Sequence, residues 1–198
     1  MNTDFSQSKT KINLMKAFAG ECQARERYNI SASFALKEKL YIISKAFSTI
    51  SDQEKEHGEV FYDFLKPFSG QSIKFDADYP VDLFDSTLEF LKKASKNETS
   101  EFEDIYDSFS KVAKEEGFLD ISKKFSEIAL IEKTHSEKFS KLASCLADGT
   151  LFKTKTKTSW VCLKCGRVHY GTEAPEVCPV CGHDRGYYIR NDLIYCIS

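Results

Sequence analysis

The sequence predicts a mainly α protein, a four-helix bundle followed by a small β/loop module. Three observations carry that reading. Before residue 148 the apolar residues recur in alternating steps of four and three, the seam of a packed bundle helix. After it, five of the nine glycines and two of the four prolines fall in the last fifty residues, a shift to turn-rich chain. That same stretch holds two Cys-x-x-Cys pairs, which sets it apart chemically. The boundary is placed at Asp148-Gly149-Thr150, giving a bundle over 1–148 and a module over 149–198.

Each helix has its own stripe. The first runs Leu14, Phe18, Glu21, Arg25, Tyr28, Ala32, Ala35, and the second Ile43, Phe47, Ile50, Glu54, His57, Phe61, Phe64, closed by Pro67 and Gly70. After a loop through Pro80 the third reads Phe84, Leu88, Leu91, Ser95, Glu98, Phe102, Ile105, Phe109, Val112, and Gly117 ends it. The fourth reads Ile121, Phe125, Ile128, Glu132, His135, Phe139, Leu142. Short or moderate connections between four such helices imply a bundle. A shift of 78 residues lays KAFSTISDQEKEHGEVF on KKFSEIALIEKTHSEKF, matching Glu54 with Glu132 and His57 with His135. A shift of 77 lays Glu21 on Glu98 and Leu14 on Leu91. The bundle therefore reads as two related helical hairpins.

At 198 residues, 41% hydrophobic and 29% charged, the chain has globular composition and is not a disordered protein. A net charge of −2 gives no bulk attraction to nucleic acid or membrane. No apolar run nears the ~20 residues that cross a bilayer, and MNTDFSQSKTKINL lacks a secretory pattern, so a soluble, cytoplasmic chain is expected. The module carries seven basic and four acidic residues, and the bundle 21 and 26, so the parts differ in sign (+3 and −5). Seven cysteines, an odd number, argue against a disulfide framework.

The anomaly lies in the seams. Glu54, His57, Glu132 and His135 occupy core positions of two helices, Glu21 and Glu98 do so on the other two, and Glu101 follows one turn after Glu98. Unpaired ionised carboxylates in a core cost many kcal/mol and would protonate or unfold the site. Arg25 alone offers an inward cation. Two divalent or trivalent metal ions would supply the missing charge, and carboxylate with imidazole suits iron or manganese. One Glu-x-x-His is weak evidence, because surface helices produce it often. Two at one register, with glutamates opposite, form the arrangement of a carboxylate-bridged metal pair.

In the module, Cys162, Cys165, Cys178 and Cys181 form two knuckles, each followed by glycine. Four thiolates bind one tetrahedral ion, and from spacing alone zinc is the commoner occupant, with a redox-active iron the alternative. Trp160, Tyr170, Tyr187 and Tyr188 are the expected core of a module that needs its metal to fold. His169 and His183 are expected at the surface, and Cys145 and Cys196 to stand aside. Lys153, Lys155 and Lys157 read as a solvated strand or linker. Cys22 reads as a small buried hydrophobe.

With both parts on one chain, the sequence closely resembles the rubrerythrin family over nearly its whole length. AGECQARERY (19–28), EKEH (54–57), ETSE (98–101), EKTH (132–135) and WVCLKCGRVHYGTEAPEVCPVCG (160–182) carry the resemblance. It implies a ferritin-like bundle and a rubredoxin-like tail whose four cysteines hold iron, reversing the zinc preference. It implies that Glu54 and Glu132 bridge two irons, that Glu21 and Glu98 are terminal ligands, and that His135 ligates one iron. The other iron would take Glu101 when oxidised and His57 when reduced, with Tyr28 and Tyr106 beside the cluster. Cys22 stands where the family commonly has serine. The implied activity is reduction of hydrogen peroxide to water, protecting against oxidative stress. Electrons would pass from a separate NAD(P)H-linked reductase or a rubredoxin through the four-cysteine iron, within a head-to-tail homodimer. The rival readings are an oxygen-reducing or ferroxidase di-iron protein, and an iron-storage protein with a structural zinc ribbon.

Overall fold

A computed structural model of the chain describes residues 3–198, so Met1 and Asn2 of the assigned bundle region lie outside the described residues. Five helices build the bundle: α1 (Lys9–Lys37), α2 (Tyr41–Phe64), α3 (Thr87–Ser100), α4 (Tyr106–Glu115) and α5 (Leu119–Ala147). The third predicted helix is thus α3 and α4 joined by a π turn over Glu101–Ile105. Three strands follow, β1 (Lys153–Cys162), β2 (Val168–Glu173) and β3 (Tyr188–Arg190), in the order β2-β1-β3 with both pairings antiparallel.

Local chemistry explains the helix starts. Ser8 caps α1 by accepting from the Lys11 amide, and the Glu116 carboxylate accepts from the amides of Lys9 and Thr10, tying α1 to the end of α4. Ser86 and Glu89 cap α3, Ser86 accepting from the Glu89 amide and donating to its carboxylate. Lys39, at φ 59°, turns the chain between α1 and α2, and Gly117, at φ 91°, does so between α4 and α5.

The connection from α2 to α3 is longer than the short or moderate one expected. Phe61 and Leu65 pack at one end with Leu14, Tyr106 and Phe125, whereas Phe90 and Leu91 pack at the other with Ala35, Ile42 and Phe139. The chain must therefore run the length of the bundle to start α3. Its extended residues 71–84 are pinned by Tyr79, whose hydroxyl donates to Lys16 O at 2.9 Å, and by Asp82. Asp82 accepts from Arg27 at 2.5 Å and from Asn97 at 2.8 Å.

Two stripes depart from expectation. On α1 the buried face is Leu14, Ala17, Glu21, Ala24, Tyr28, Ala32 and Ala35; Phe18 is half-buried and Arg25 faces solvent. Steps of three after Leu14 and Glu21, rather than four, keep the small Ala17 and Ala24 inside and let the helices approach closely. Beyond Glu98 the expected Phe102, Ile105, Phe109 and Val112 give way to Tyr106, Ser110 and Ala113 as the buried residues. The π turn inserts one residue, so the face that follows is displaced by one position.

The module is docked on the end of the bundle where α1 meets α2. Tyr187 stacks on Tyr41, ring centroids 3.8 Å apart, and Ile189, Leu193 and Cys196 join the bundle's apolar cluster. Gly186 allows that contact, since a Cβ there would stand 1.9 Å from Lys39 O. Arg190, buried, donates to Thr150 O at 2.9 Å and to Cys145 Sγ at 3.5 Å. Cys145 and Cys196 are therefore packing elements of this joint.

Candidate metal centres

Between the two apolar ends of the bundle lies a belt of buried charge. Glu21, Glu54, Glu98, Glu132 and His135 are each at most 1% exposed, and His57 is 7% exposed. They converge in two sets, Glu21/Glu54/His57/Glu132 and Glu54/Glu98/Glu132/His135, with ligand atoms within 4.8 Å of one another in each. Glu54 and Glu132 belong to both sets, so a carboxylate from α2 and one from α5 stand between two foci. The remaining predicted ligand, Glu101, is half-buried in the π turn and outside both sets. It lines, with Tyr106, Gly20, Arg27 and Tyr79, a cavity of about 660 Å³ under the crossover.

Each tyrosine reaches across the bundle. Tyr28 on α1 donates to Glu98 on α3, and Tyr106 on α4 donates to Glu21 on α1. Tyr28 lies seven residues after Glu21, and Tyr106 eight after Glu98. The π turn supplies the extra residue, so the two tyrosines reach equivalent places. On the far side of His135, Nε2 meets Gln53 Oε1 at 3.0 Å. Gln53 is absent from the residues singled out by sequence, because its polar side chain off the seam looks like ordinary surface. Its position next to a seam glutamate is the one signal that marks it.

The electrostatics follow from burial. Burial, then the neighbouring Glu54 and Glu132 charges, pushes the Glu21 carboxyl well above its usual range. Burial and Glu54 push Glu98 up to about 8. Burial and Glu98 push Glu101 well up. Burial opposes charge on His57, but close contacts of its Nδ1 with the Glu132 and Glu54 carboxylates outweigh it and raise the imidazole to about 10. His135 is raised by the same kind of contest. Glu54 is driven up by burial yet held well below the usual carboxylate range by His135 and His57.

Protons and imidazolium ions thus stand in for cations, imperfectly. Glu21 Oε2, Glu54 Oε1, Glu98 Oε2, both Glu132 oxygens and His135 Nδ1 are buried without a hydrogen bond. Yet His135 Nδ1 is 2.8 Å from Glu132 Oε2 and 3.1 Å from Glu54 Oε1. Atoms this close but misaligned for hydrogen bonding are aimed at common points between them. No Lys or Arg side chain serves the belt among the described residues: Arg25 faces solvent and Arg27 is turned to Asp82. The donor set fits two hard or borderline metal ions.

The second centre is in the module. Cys162, Cys165, Cys178 and Cys181 converge, with Cys162 Sγ 3.7 Å from Cys181 Sγ and Cys165 Sγ 3.7 Å from Cys178 Sγ. A tetrahedron with metal–sulfur bonds of about 2.3 Å has edges of about 3.8 Å, so the thiols sit at the corners of a tetrahedral site. A disulfide would need sulfurs about 2.05 Å apart. The hydroxyl of Tyr188 beside it pulls the Cys178 thiol down to about 5, favouring the ligating thiolate. Trp160, Ala174 and Tyr188 form the core; Tyr187 is half-buried, and Tyr170, expected in the core, is 67% exposed on the outer face of β2. His183 is exposed and His169 half-buried, both outside the thiol set. Cys22, expected to be buried, is exposed, one residue past inward Glu21.

Comparison with known proteins agrees with this geometry. Residues 13–143 match the rubrerythrin family model, and residues 160–189 match that of the rubrerythrin rubredoxin-like domain. The chain is 43% identical over 182 residues to a rubrerythrin of Clostridium perfringens, covering 91% of this chain and 93% of that one. It is 38% identical to a rubrerythrin of Porphyromonas gingivalis over 188 residues, 95% of this chain and 92% of the relative. A solved structure of nigerythrin in a mixed-valence state shares the fold, with TM-score 0.63 at 24% identity over 93% of this chain and 90% of that one. No described helix is long and apolar enough to cross a membrane. On sequence and architecture together, the chain belongs to the rubrerythrin family.

Proposed function

We propose that this protein reduces hydrogen peroxide to water at a di-iron centre in the bundle, with electrons supplied through an iron held by the four cysteines. The observation that carries the reading is the pair of four-ligand sets sharing Glu54 and Glu132, which can hold two ions close enough to act on one small substrate. Two ferrous ions would supply the two electrons that H2O2 needs, and with two protons the products are two waters.

The protein's own groups do the rest. Glu54 and Glu132, common to both sets, would hold the two ions as a pair. Tyr28 and Tyr106 fix one oxygen each of Glu98 and Glu21, leaving the other oxygen to point inward. In this reading the cavity lined by Glu101 would admit peroxide and water, and Glu101 and His57 would be the groups that exchange as ligand charge is matched to oxidation state. Apolar clusters above and below keep bulk water from the belt.

Delivery of electrons favours a second subunit. Tyr41, against which the module docks, precedes Glu54 by thirteen residues, roughly 20 Å along α2 at 1.5 Å per residue. Electron tunnelling falls exponentially with distance, so a head-to-tail homodimer that brings a partner's module to this bundle is the better path. The −5 and +3 halves are complementary for that docking. A cytoplasmic NAD(P)H-linked reductase or a rubredoxin would then recharge the module iron.

The test is stopped-flow mixing of anaerobically reduced protein with peroxide or with oxygen. Peroxide should reoxidise the four-thiolate iron, read by its visible absorbance, faster than oxygen does. Faster reaction with oxygen would replace this reading with an oxygen-reducing or ferroxidase one.

A further inference from the structure

The two histidines of the belt are alike in what their inner nitrogens face and differ in what their outer nitrogens meet. His135 Nε2 lies 3.0 Å from Gln53 Oε1. An amide oxygen only accepts, so Nε2 carries the proton and Nδ1 is the nitrogen presented to the carboxylates. Under the 78-residue shift that relates α2 to α5, the counterpart of Gln53 is Ile131. Ile131 has nothing to offer an N–H. Among the described residues the hydrogen bond of His57 is made by Nδ1, to Glu54, and its outer nitrogen has none. The His57 ring is also the less enclosed, 7% exposed against 0% for His135.

A second break in the symmetry falls on the same side. Under the 77-residue shift Glu101 corresponds to Ala24, so only one half of the bundle has this extra carboxylate. Glu101 and Tyr106 line one cavity, and Tyr106 holds Glu21, a member of the His57 set. The half with the unanchored imidazole is therefore the half with a spare carboxylate beside it.

We propose that Gln53 is a positioning residue that locks His135 as the permanent imidazole ligand of one ion, and that isoleucine at the related position 131 leaves His57 free to leave the other. This rests on the di-iron reading above and adds to it the reason why one histidine rather than the other exchanges. The lock acts through tautomer and ring orientation, as outer hydrogen bonds to metal-ligating histidines generally do.

The first readout needs no metal and no turnover. In 15N-histidine-labelled metal-free protein, one slowly exchanging imidazole Nε2–H is expected; Gln53→Leu should remove it, and Gln53→Glu, which keeps an acceptor oxygen, should restore it. Ile131→Gln should add a second. In titrations with ferrous iron alone, Gln53→Leu should weaken one of the two bundle sites about tenfold, at the low end of what outer-ligand changes cost, and Gln53→Glu should recover most of it. Crystals of oxidised and reduced Ile131→Gln should both keep His57 on its ion. A Gln53→Leu protein with the wild-type N–H signal and wild-type ferrous affinity overturns the proposal, as does an Ile131→Gln protein whose His57 still departs on oxidation. Wild-type protein that shows these signals but does not reduce peroxide sinks the peroxidase reading and leaves this one standing.

Discussion

Removing metal from the bundle should reverse the usual dependence of stability on pH. In the metal-free protein, burial raises Glu98 to about 8, and contacts with Glu132 and Glu54 raise His57 to about 10 despite burial. Both groups bind protons more tightly folded than unfolded. For Glu98 the stability is full below its unfolded value near 4.5 and is lost as pH rises towards 8. For His57 it is full below 6.5 and is lost as pH rises towards 10. Glu21, also raised, acts in the same direction, whereas depressed Glu54 loses its contribution only in acid below the usual carboxylate range. Each group changes stability by about 1.4 kcal/mol per pH unit within its window. Between pH 5 and 8 that is about 4 kcal/mol from Glu98 and about 2 from His57, together about 6 at most, a large share of a typical 5–15 kcal/mol. Metal ions displace these protons, so the loaded protein should lack the effect. Urea unfolding followed by far-UV circular dichroism reads it: with a slope of about 2–3 kcal/mol per molar, the metal-free midpoint should fall from pH 5 to pH 8 by an amount of up to about 2–3 M. A metal-free midpoint that rises over this interval would refute the electrostatic argument.

Other perturbations have definite outcomes. Tyr106→Phe removes the donor to Glu21 Oε1 and should cost about 1–3 kcal/mol in the metal-free protein, measured by the same unfolding curves, with Tyr28→Phe matching it through Glu98. Cys178→Ser should strip the visible charge-transfer band of the module while metal analysis still finds the bundle ions; unchanged peroxide turnover would contradict electron delivery through this centre. Gly186→Ala forces a Cβ onto Lys39 O, so it should loosen the module from the bundle, seen as faster amide exchange around Leu40 and Ile189 with the α3–α5 core unaffected. Tyr170→Thr, on the outer face of β2, should change the unfolding midpoint by less than about 0.5 kcal/mol equivalent.

The helices, their order and most of the buried Glu/His side chains that converge were legible in the sequence because a charged residue on an apolar seam contradicts its surroundings, and a contradiction repeated at a 78-residue shift is hard to produce by chance. The misreadings have local causes. Periodicity alone cannot choose between a step of three and a step of four, so Phe18 and Arg25 stood in for Ala17 and Ala24 on α1. A π turn leaves no mark in hydropathy; the one clue was Tyr106 at eight residues from Glu98 where Tyr28 stands seven from Glu21. Tyr170 alternates on a strand whose inward face is set by Trp160 and the knuckles, and aromatic character alone pointed the wrong way. Cys22 was judged by its neighbour rather than by its own angle on the helix. The length of the α2–α3 crossover follows from helix direction, which no local pattern records.

Metal analysis of protein purified without oxygen tests the central claim most directly. Three ions per chain are expected, one for each of the three convergent ligand sets, and a Glu54→Ala chain should retain only the one held by the cysteines. An intact, folded bundle that binds no metal, or a Glu54→Ala chain with the full complement, would contradict it.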